Sequence, residues 1–232
     1  MDASLIAALG LGFLLGLRHA MEADHVAAMS TIVSQERGFL RSCLRGTFWG
    51  IGHTLALLAA GVVIIAFKVR VPPEFERGVE AVIALVLVGL GGHVLLRAIG
   101  AASVHRHEHT HDGVTHQHFH VHVGSGQSHT HVHLLAGTRK SLLLGLLHGL
   151  GGGGALVLVV MTTMPSPAAA FLYILVFGLG STAGMLVLSG LIGLPFALLA
   201  PGSLRAATAL QIVVGLVSVL IGVLMLTGLH AA

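Results

Sequence analysis

The amino-acid sequence predicts an all-α integral membrane protein with six transmembrane helices, organised as two three-helix repeats of opposite orientation. Three observations predict this fold class. First, 55% of the 232 residues are hydrophobic and only 9% are charged, with a mean hydropathy of +0.93, whereas an average soluble domain has about 25% charged residues. Second, six apolar segments are long enough to cross a bilayer. Third, patterns of the first half recur in the second half.

Each apolar segment contains the roughly 20 residues that a helix needs to cross a hydrocarbon core. The segments cover residues 4–29, 46–67, 79–100, 141–163, 169–194 and 207–229. The first segment lacks a preceding basic region and carries Arg18 inside its apolar stretch. Both features differ from a cleavable signal peptide, so we expect a retained first helix.

An internal repeat relates the two halves of the chain. Residues 14–19 (LLGLRH) match residues 143–148 (LLGLLH), and residues 49–54 (WGIGHT) match residues 177–182 (FGLGST). Short Leu and Gly patterns recur by chance in membrane helices, but matches that keep both order and spacing favour a duplication.

The repeat also predicts the domain organisation. The third pair of helices matches more weakly, around Gly92 and Gly222. We expect a first repeat over residues 1–101, a histidine-rich loop over 102–140 and a second repeat over 141–232. Because each half has three helices, the second half enters the membrane from the opposite side, which gives an inverted repeat.

Inverted repeats place a ligand site between the two halves, near the middle of the bilayer. The polar residues at matched positions are therefore candidates to converge on one site. They are His19, His53, His148 and Ser181.

The distribution of basic residues predicts the topology. Apart from Arg18, one set of loops and helix ends carries eight basic residues and the other set carries three. The positive-inside rule then places both termini outside the cytoplasm and the long loop inside, in a bacterial inner membrane. The eight residues are Arg37, Arg41, Arg45, Arg97, Arg106, Arg139, Lys140 and Arg205, and the three are Lys68, Arg70 and Arg77.

Composition excludes several classes of function. The single cysteine, Cys43, cannot form an internal disulfide, a Cys-x-x-Cys pair or a thiolate-rich metal site, which excludes a transmembrane thiol electron carrier. The calculated pI of about 9.8 does not indicate a nucleic-acid partner, because the chain needs lipid as its solvent.

The first apolar segment contains five ionisable groups within residues 18–25, RHAMEADH. A charged side chain at the centre of a membrane helix costs about 3 kcal/mol on insertion scales, so such a cluster persists only if it functions or is internally paired. On a regular helix Asp24 points away from the other four groups; it either faces a neighbouring helix or marks local unwinding. A purely structural charge network is the alternative interpretation.

The residue types in this cluster indicate a metal site. Imidazoles and carboxylates together suit Ni²⁺, Co²⁺ or Zn²⁺. Arg18 precedes Glu22 by one turn and is a candidate charge partner for it. The His-Glu-x-x-His pattern of zinc proteases is absent, and we expect no enzymatic activity.

Residues 18–25 resemble the R-H-A-x-D-A-D-H signature of the nickel/cobalt transporter (NicO-like) family, whose core is H-x-x-x-x-D-H. Residues 48–54, FWGIGHT, are similar to the second motif of that family, Gly-His-Ser/Thr in the next helix. The resemblance implies His19, Asp24, His25 and His53 as metal ligands, with Glu22 where the family more often has Asp.

The resemblance is strong over residues 14–56 and weaker beyond. The larger permeases carry acidic motifs in later helices, whereas this chain has His148 followed by glycines at 149 and 151–154. With six predicted helices the chain is closer to the short, urease-accessory UreH-like branch. The glycine run has two interpretations: the helix unwinds beside His148 and presents carbonyl groups, or small residues let two helices pack closely.

A second concentration of histidines lies in the long loop. With almost no apolar residues the segment cannot form a core, so we expect it to be disordered without a ligand. Its imidazoles favour metal binding, and its affinity should fall as the pH drops through about 6.5. It could collect imported ion, buffer it or sense a surplus. The eleven histidines are His105, His107, His109, His111, His116, His118, His120, His122, His129, His131 and His133.

Taken together, these features predict transmembrane transport of Ni²⁺ or Co²⁺, with Zn²⁺ as a further candidate, through a site of His19, Glu22, Asp24, His25, His53 and His148. The ion is the cargo, and we expect no permanent cofactor. The expected partners are the divalent ion, the lipid bilayer and a cytoplasmic metallochaperone. The alternative is a membrane metal chaperone or sensor that supplies a metalloenzyme such as urease without transporting.

Overall fold

The computed structural model describes residues 3–36, 38–67, 72–101, 106–111, 114–119, 137–151, 164–199 and 203–228. These ranges contain seven helices and one two-stranded hairpin. The helices are α1 (Ala3–His19), α2 (Ala23–Val33), α3 (Phe39–Phe67), α4 (Pro73–Ala101), α5 (Thr138–His148), α6 (Pro167–Leu199) and α7 (Leu204–Thr227), and the strands are β1 (Arg106–His111) and β2 (Val114–Phe119).

Four helices, α3, α4, α6 and α7, are long and apolar enough to cross a membrane. Helices α1 and α2 pass the same test only as a pair, and the bend of 56° between them fits a broken span or a re-entrant segment. The chain is therefore a multi-pass membrane protein, as predicted. Of the predicted fourth span, α5 is described, whereas residues 152–163 lie outside the described residues, so the number six stays a prediction.

Helix α3 begins at Phe39, before the predicted start at residue 46. Its 29 residues correspond to about 43 Å, longer than a hydrocarbon core of about 30 Å. The extra turns carry Arg45, whose Nε donates to Glu36 Oε1 at 2.7 Å. Because both side chains are largely shielded from solvent, this ion pair fixes the end of α2 against α3.

The helices pack in pairs that alternate between the two halves of the chain. Helix α3 packs on α6, α4 packs on α7, α1 packs on α6, and α5 packs on α3. Helix α2 contacts α3, α4, α6 and α7. If α1 and α2 are counted together as the first span, the first span of each half packs on the second span of the other half.

Equivalent close contacts occur in both halves. A Cβ atom at Gly16 would collide with the carbonyl oxygen of Phe177, and one at Gly145 would collide with that of Trp49. The sequence repeat aligns these two glycines with each other and these two aromatic residues with each other. A second pair of contacts follows the same alignment, Gly52 on the Leu142 carbonyl and Gly180 on the Phe13 carbonyl.

Helices α4 and α7 show the same correspondence. Gly91 faces the carbonyl of Gly215, and Gly222 faces that of Ala84. The alignment that places Gly91 on Gly222 also places Ala84 on Gly215. In the structure, the equivalent of Gly222 is therefore Gly91. The sequence comparison had aligned Gly222 with Gly92, which is wrong by one position. The shift by one position explains why the third match is weak in sequence.

The order of the contacts gives the helix directions. Along α1 and α6, Gly12 meets Tyr173 and Gly16 meets Phe177, so these helices run parallel. Helices α5 and α3 also run parallel, since Gly145 meets Trp49 and Gly149 meets His53. Helices α3 and α6 run antiparallel, since Gly50 meets Thr182 and Gly178 meets Thr54. It follows that α1 and α5 run in opposite directions.

The predicted histidine loop contains the hairpin. Strands β1 and β2 are antiparallel, and their register pairs His107 with His118 and His109 with His116. Helix α5 begins at Thr138, within the predicted loop. The rest of the loop, residues 102–105, 112–113 and 120–136, lies outside the described residues, so its disorder stays a prediction.

Candidate metal site

The site lies at the break between α1 and α2. Helix α1 ends at His19, and α2 begins at Ala23. In between, the backbone N–H of Met21 donates to the Arg18 carbonyl at 2.9 Å, and that of Glu22 donates to the His19 carbonyl at 3.0 Å. Both interpretations of Asp24 hold, because the helix is interrupted just before it and its carboxylate faces His148 of the neighbouring helix α5.

Helix α5 ends in the same way at His148. The N–H of Leu150 donates to the Leu147 carbonyl at 3.3 Å, and that of Gly151 donates to the His148 carbonyl at 3.2 Å. These bonds occupy the positions that the repeat aligns with those at the first break. Gly149 also makes a close helix contact, since a Cβ there would lie 2.5 Å from the His53 carbonyl oxygen. Residues 152–154 of the glycine run lie outside the described residues.

Three buried imidazoles form the first group of candidate ligands. One nitrogen from each of His19, His25 and His53 lies within 4.8 Å of the others. The Nε2 atoms of His19 and His53 are 3.2 Å apart. All three side chains are almost fully shielded from solvent. Such a set of nitrogen donors suits Ni²⁺, Co²⁺ or Zn²⁺.

Two carboxylates orient these rings. Glu22 Oε2 lies 3.0 Å from His19 Nδ1, and Asp24 Oδ1 lies 3.0 Å from His25 Nδ1. An ionised Asp24 can only accept a hydrogen bond, so this contact favours the His25 tautomer with its hydrogen on Nδ1 and its lone pair on Nε2. This is the carboxylate–histidine arrangement that fixes ring orientation at metal sites.

Asp24, His25 and His148 form a second group, again with ligand atoms within 4.8 Å of one another. Asp24 Oδ2 lies 3.4 Å from His148 Nε2, close enough for an ion pair but not aligned for a hydrogen bond. Within the described part of the chain, His148 is fully buried and neither of its ring nitrogens has a hydrogen-bond partner. Since buried polar groups are rarely left unpaired, this ring is suited to accept a cation.

Aromatic side chains line the site on two sides. The ring of Trp49 lies 5.1 Å from that of His148, and the ring of Phe177 lies 5.5 Å from that of His19. The sequence analysis did not predict a role for either residue. The repeat aligns Trp49 with Phe177, and this match of two aromatic residues could have indicated them. Both belong to buried apolar clusters, so the polar site lies between two regions from which water is excluded.

The structure brings together five of the six predicted ligands. Glu22 belongs to neither group; its half-exposed carboxylate lies 3.0 Å from His19 Nδ1. Arg18 is exposed, and no ion pair joins it to Glu22 among the described residues. Ser181, the fourth repeat-matched residue, is fully buried, and its hydroxyl has no hydrogen-bond partner within the described part of the chain.

The structure describes five of the eleven loop histidines, all within the hairpin. The other six lie outside the described residues. The loop therefore remains a predicted metal-binding segment.

Comparisons with known proteins agree with the chemistry of the site. Residues 5–231 match the family model NicO, described as high-affinity nickel-transport protein. The chain is also similar to the urease accessory protein UreH of Bacillus sp. (strain TB-90), with 39% identity over 219 residues that cover 94% of this chain and 90% of that protein. No solved structure matches the chain.

Proposed function

Since the chain belongs to the NicO family of high-affinity nickel-transport proteins, we propose that it carries Ni²⁺ or Co²⁺ across the bacterial inner membrane through the buried His and Asp site. The observation that carries this proposal is the convergence of His19, Asp24, His25, His53 and His148 at a helix break. Broken helices with ligands at the break are how many transporters bind an ion inside the bilayer.

The donor set supports a borderline divalent metal as cargo. Four imidazoles and one carboxylate favour Ni²⁺, Co²⁺ and Zn²⁺ over Mg²⁺ or Ca²⁺, which prefer oxygen ligands. The C-terminal ends of α1 and α5, at His19 and His148, carry partial negative charge that favours a cation, whereas the N-terminal end of α2 stabilises the Asp24 carboxylate. A hydrated ion would exchange its waters for these ligands, and the protein needs no permanent cofactor of its own.

We further propose that the six predicted spans form a 3+3 inverted repeat, with residues 152–163 completing the fourth. The opposite directions of α1 and α5, the duplicated contacts and the two equivalent breaks all support it. Rocking of one half against the other would then open the site to each side in turn. With the basic residues inside, both termini face outward, and the histidine loop reaches the cytoplasm, where a metallochaperone could exchange ion with it.

A second candidate function is that of a membrane metal chaperone or sensor for a metalloenzyme. The name of the relative, urease accessory protein, supports this role. In that case the histidine loop would be the main metal-binding element, and the intramembrane site would hold an ion without passing it on.

Flux measurements separate the two functions. Purified protein in sealed liposomes should move ⁶³Ni or Co²⁺ across the bilayer in a saturable way, measured in both directions. Protein-free liposomes and a His25→Ala variant give the background. Stoichiometric binding without any movement of ion would overturn transport and leave the chaperone role.

A further inference from the structure

The two groups of candidate ligands have one member in common, His25. Its ring centroid lies 4.5 Å from that of His19 and 4.7 Å from that of His148. His19 and His148 are equivalent positions of the two halves, and each is the last residue of its helix. His25 therefore stands almost midway between two repeat-related imidazoles.

We propose that the site consists of two overlapping half-sites for a single ion, occupied in turn, with His25 bound to the ion in both. This inference rests on the proposed transport function and adds the path of the ion within the site. The first half-site is His19, His25 and His53, and the second is Asp24, His25 and His148.

One ion at a time follows from the geometry. The half-sites share a ligand, and the atoms of each lie within 4.8 Å of one another. A neutral imidazole has one lone pair, so the shared ring of His25 can bind only one ion at a time. The second half-site is therefore the next binding position of the same ion and not an independent site for a second ion.

The shared ring explains how an ion could cross without being stripped of its ligands. While His25 stays bound, the ion exchanges His19 and His53 for Asp24 and His148, so the site need not release it to an apolar surrounding at any stage. The first half-site offers three neutral imidazoles, whereas the second replaces one of them with a carboxylate. The two half-sites thus differ in charge. A conformational change of the repeats can therefore alter their relative affinities for the ion.

The surroundings of the outer imidazoles support this exchange. His19 packs near Phe177 of α6, and His148 packs near Trp49 of α3. Each outer histidine is therefore bounded by an aromatic ring from the other half of the chain.

The test measures Co²⁺ binding and Co²⁺ flux in the same set of variants. To remove the signal of the loop, the full-length chain carries asparagine in place of its eleven loop histidines, and this background is first shown to move Co²⁺. Visible absorption of bound Co²⁺ reports its ligand set and stoichiometry. His93→Ala is the matched control, because His93 is exposed on α4 and belongs to neither half-site.

The background protein should bind one Co²⁺ per chain. His19→Ala and His148→Ala should each still bind one Co²⁺, because the other half-site remains. Their affinity for Co²⁺ should fall by a factor of less than about ten. Their Co²⁺ spectra should differ from each other, and neither variant should show flux. His25→Ala should lose both binding and flux, and His93→Ala should change neither.

Three results would overturn the inference. Loss of binding in His19→Ala or His148→Ala as complete as in His25→Ala would indicate a single undivided site. Two Co²⁺ ions per chain would show that the positions are independent. Normal flux in either single variant would show that the ion does not visit both. If the background protein binds one ion but never moves it, the transport function itself fails, which the flux of the starting protein shows separately.

Discussion

His19 and His148 occupy equivalent positions of the two halves, each at the C-terminal end of a helix and each beside an aromatic ring from the other half of the chain. The backbone bonds that follow them are the same. Yet the residues after them differ, since the first break continues into Glu22, Asp24 and His25, and the second into glycines. A near-symmetric scaffold thus carries an asymmetric set of ligands.

Loss of a central ligand should abolish metal movement without preventing insertion. In the otherwise native chain, His19→Ala and Asp24→Ala should each reduce ⁶³Ni flux in proteoliposomes to the level of protein-free liposomes, because each removes a ligand from one of the two groups. The amount of protein in the membrane fraction should stay unchanged, and His93→Ala should transport normally. Wild-type rates in both site variants would contradict the site assignment.

Glu22 should act through His19 and not as a ligand. Glu22 Oε2 and His19 Nδ1 are 3.0 Å apart; Glu22→Gln keeps an oxygen at this position, whereas Glu22→Ala does not. We expect Glu22→Ala to weaken Co²⁺ binding about 10- to 100-fold, the usual effect of losing such a partner, and Glu22→Gln to restore most of it. Equal loss in both variants, with an altered Co²⁺ spectrum in each, would show that the carboxylate binds the ion directly.

The close contacts between the halves should respond to a single methyl group. Gly16→Ala and Gly145→Ala place a Cβ against a backbone carbonyl of the neighbouring helix, and overpacking of this kind costs roughly 1–3 kcal/mol. Gly10→Ala is the matched control, because no atom lies within 4 Å of its added Cβ. Thermal unfolding in detergent should show lower midpoints for the first two variants only. A midpoint as high as that of Gly10→Ala would contradict the packing.

Deletion of residues 105–133 should distinguish the function of the loop from that of the transport site. If the loop only raises the local ion concentration, the purified variant should lose most of its bound metal, while its flux at saturating Ni²⁺ stays within a few-fold of normal. The apparent affinity should become weaker. Complete loss of flux would place an essential step in the loop and favour the chaperone role.

Both termini should face away from the cytoplasm. A tag fused after Ala232 should react with a membrane-impermeant reagent on intact spheroplasts, and the same tag inserted in the histidine loop should react only after lysis. The basis is the excess of basic residues on the side of the loop. The reverse pattern of labelling would overturn the predicted topology.

The sequence contained most of the chemistry of this protein. Its composition required a membrane, because nine acidic and twelve basic residues cannot cover the surface of a soluble chain of this length. Charged groups in an apolar segment indicated a site, because such groups are costly in lipid. The repeat added His53 and His148, which lie far from the first cluster along the chain.

What only the tertiary structure decided is where those residues lie relative to one another. A periodic pattern assumes a continuous helix, so it could not give the 56° bend that brings Asp24 and His25 to the same point as His19. Nor could it show that Glu22 meets the Nδ1 side of His19, or that His25 joins two groups of ligands. Local residue types determine which atoms can bind a metal, but the distances among side chains on α1, α2, α3 and α5 depend on how those helices pack.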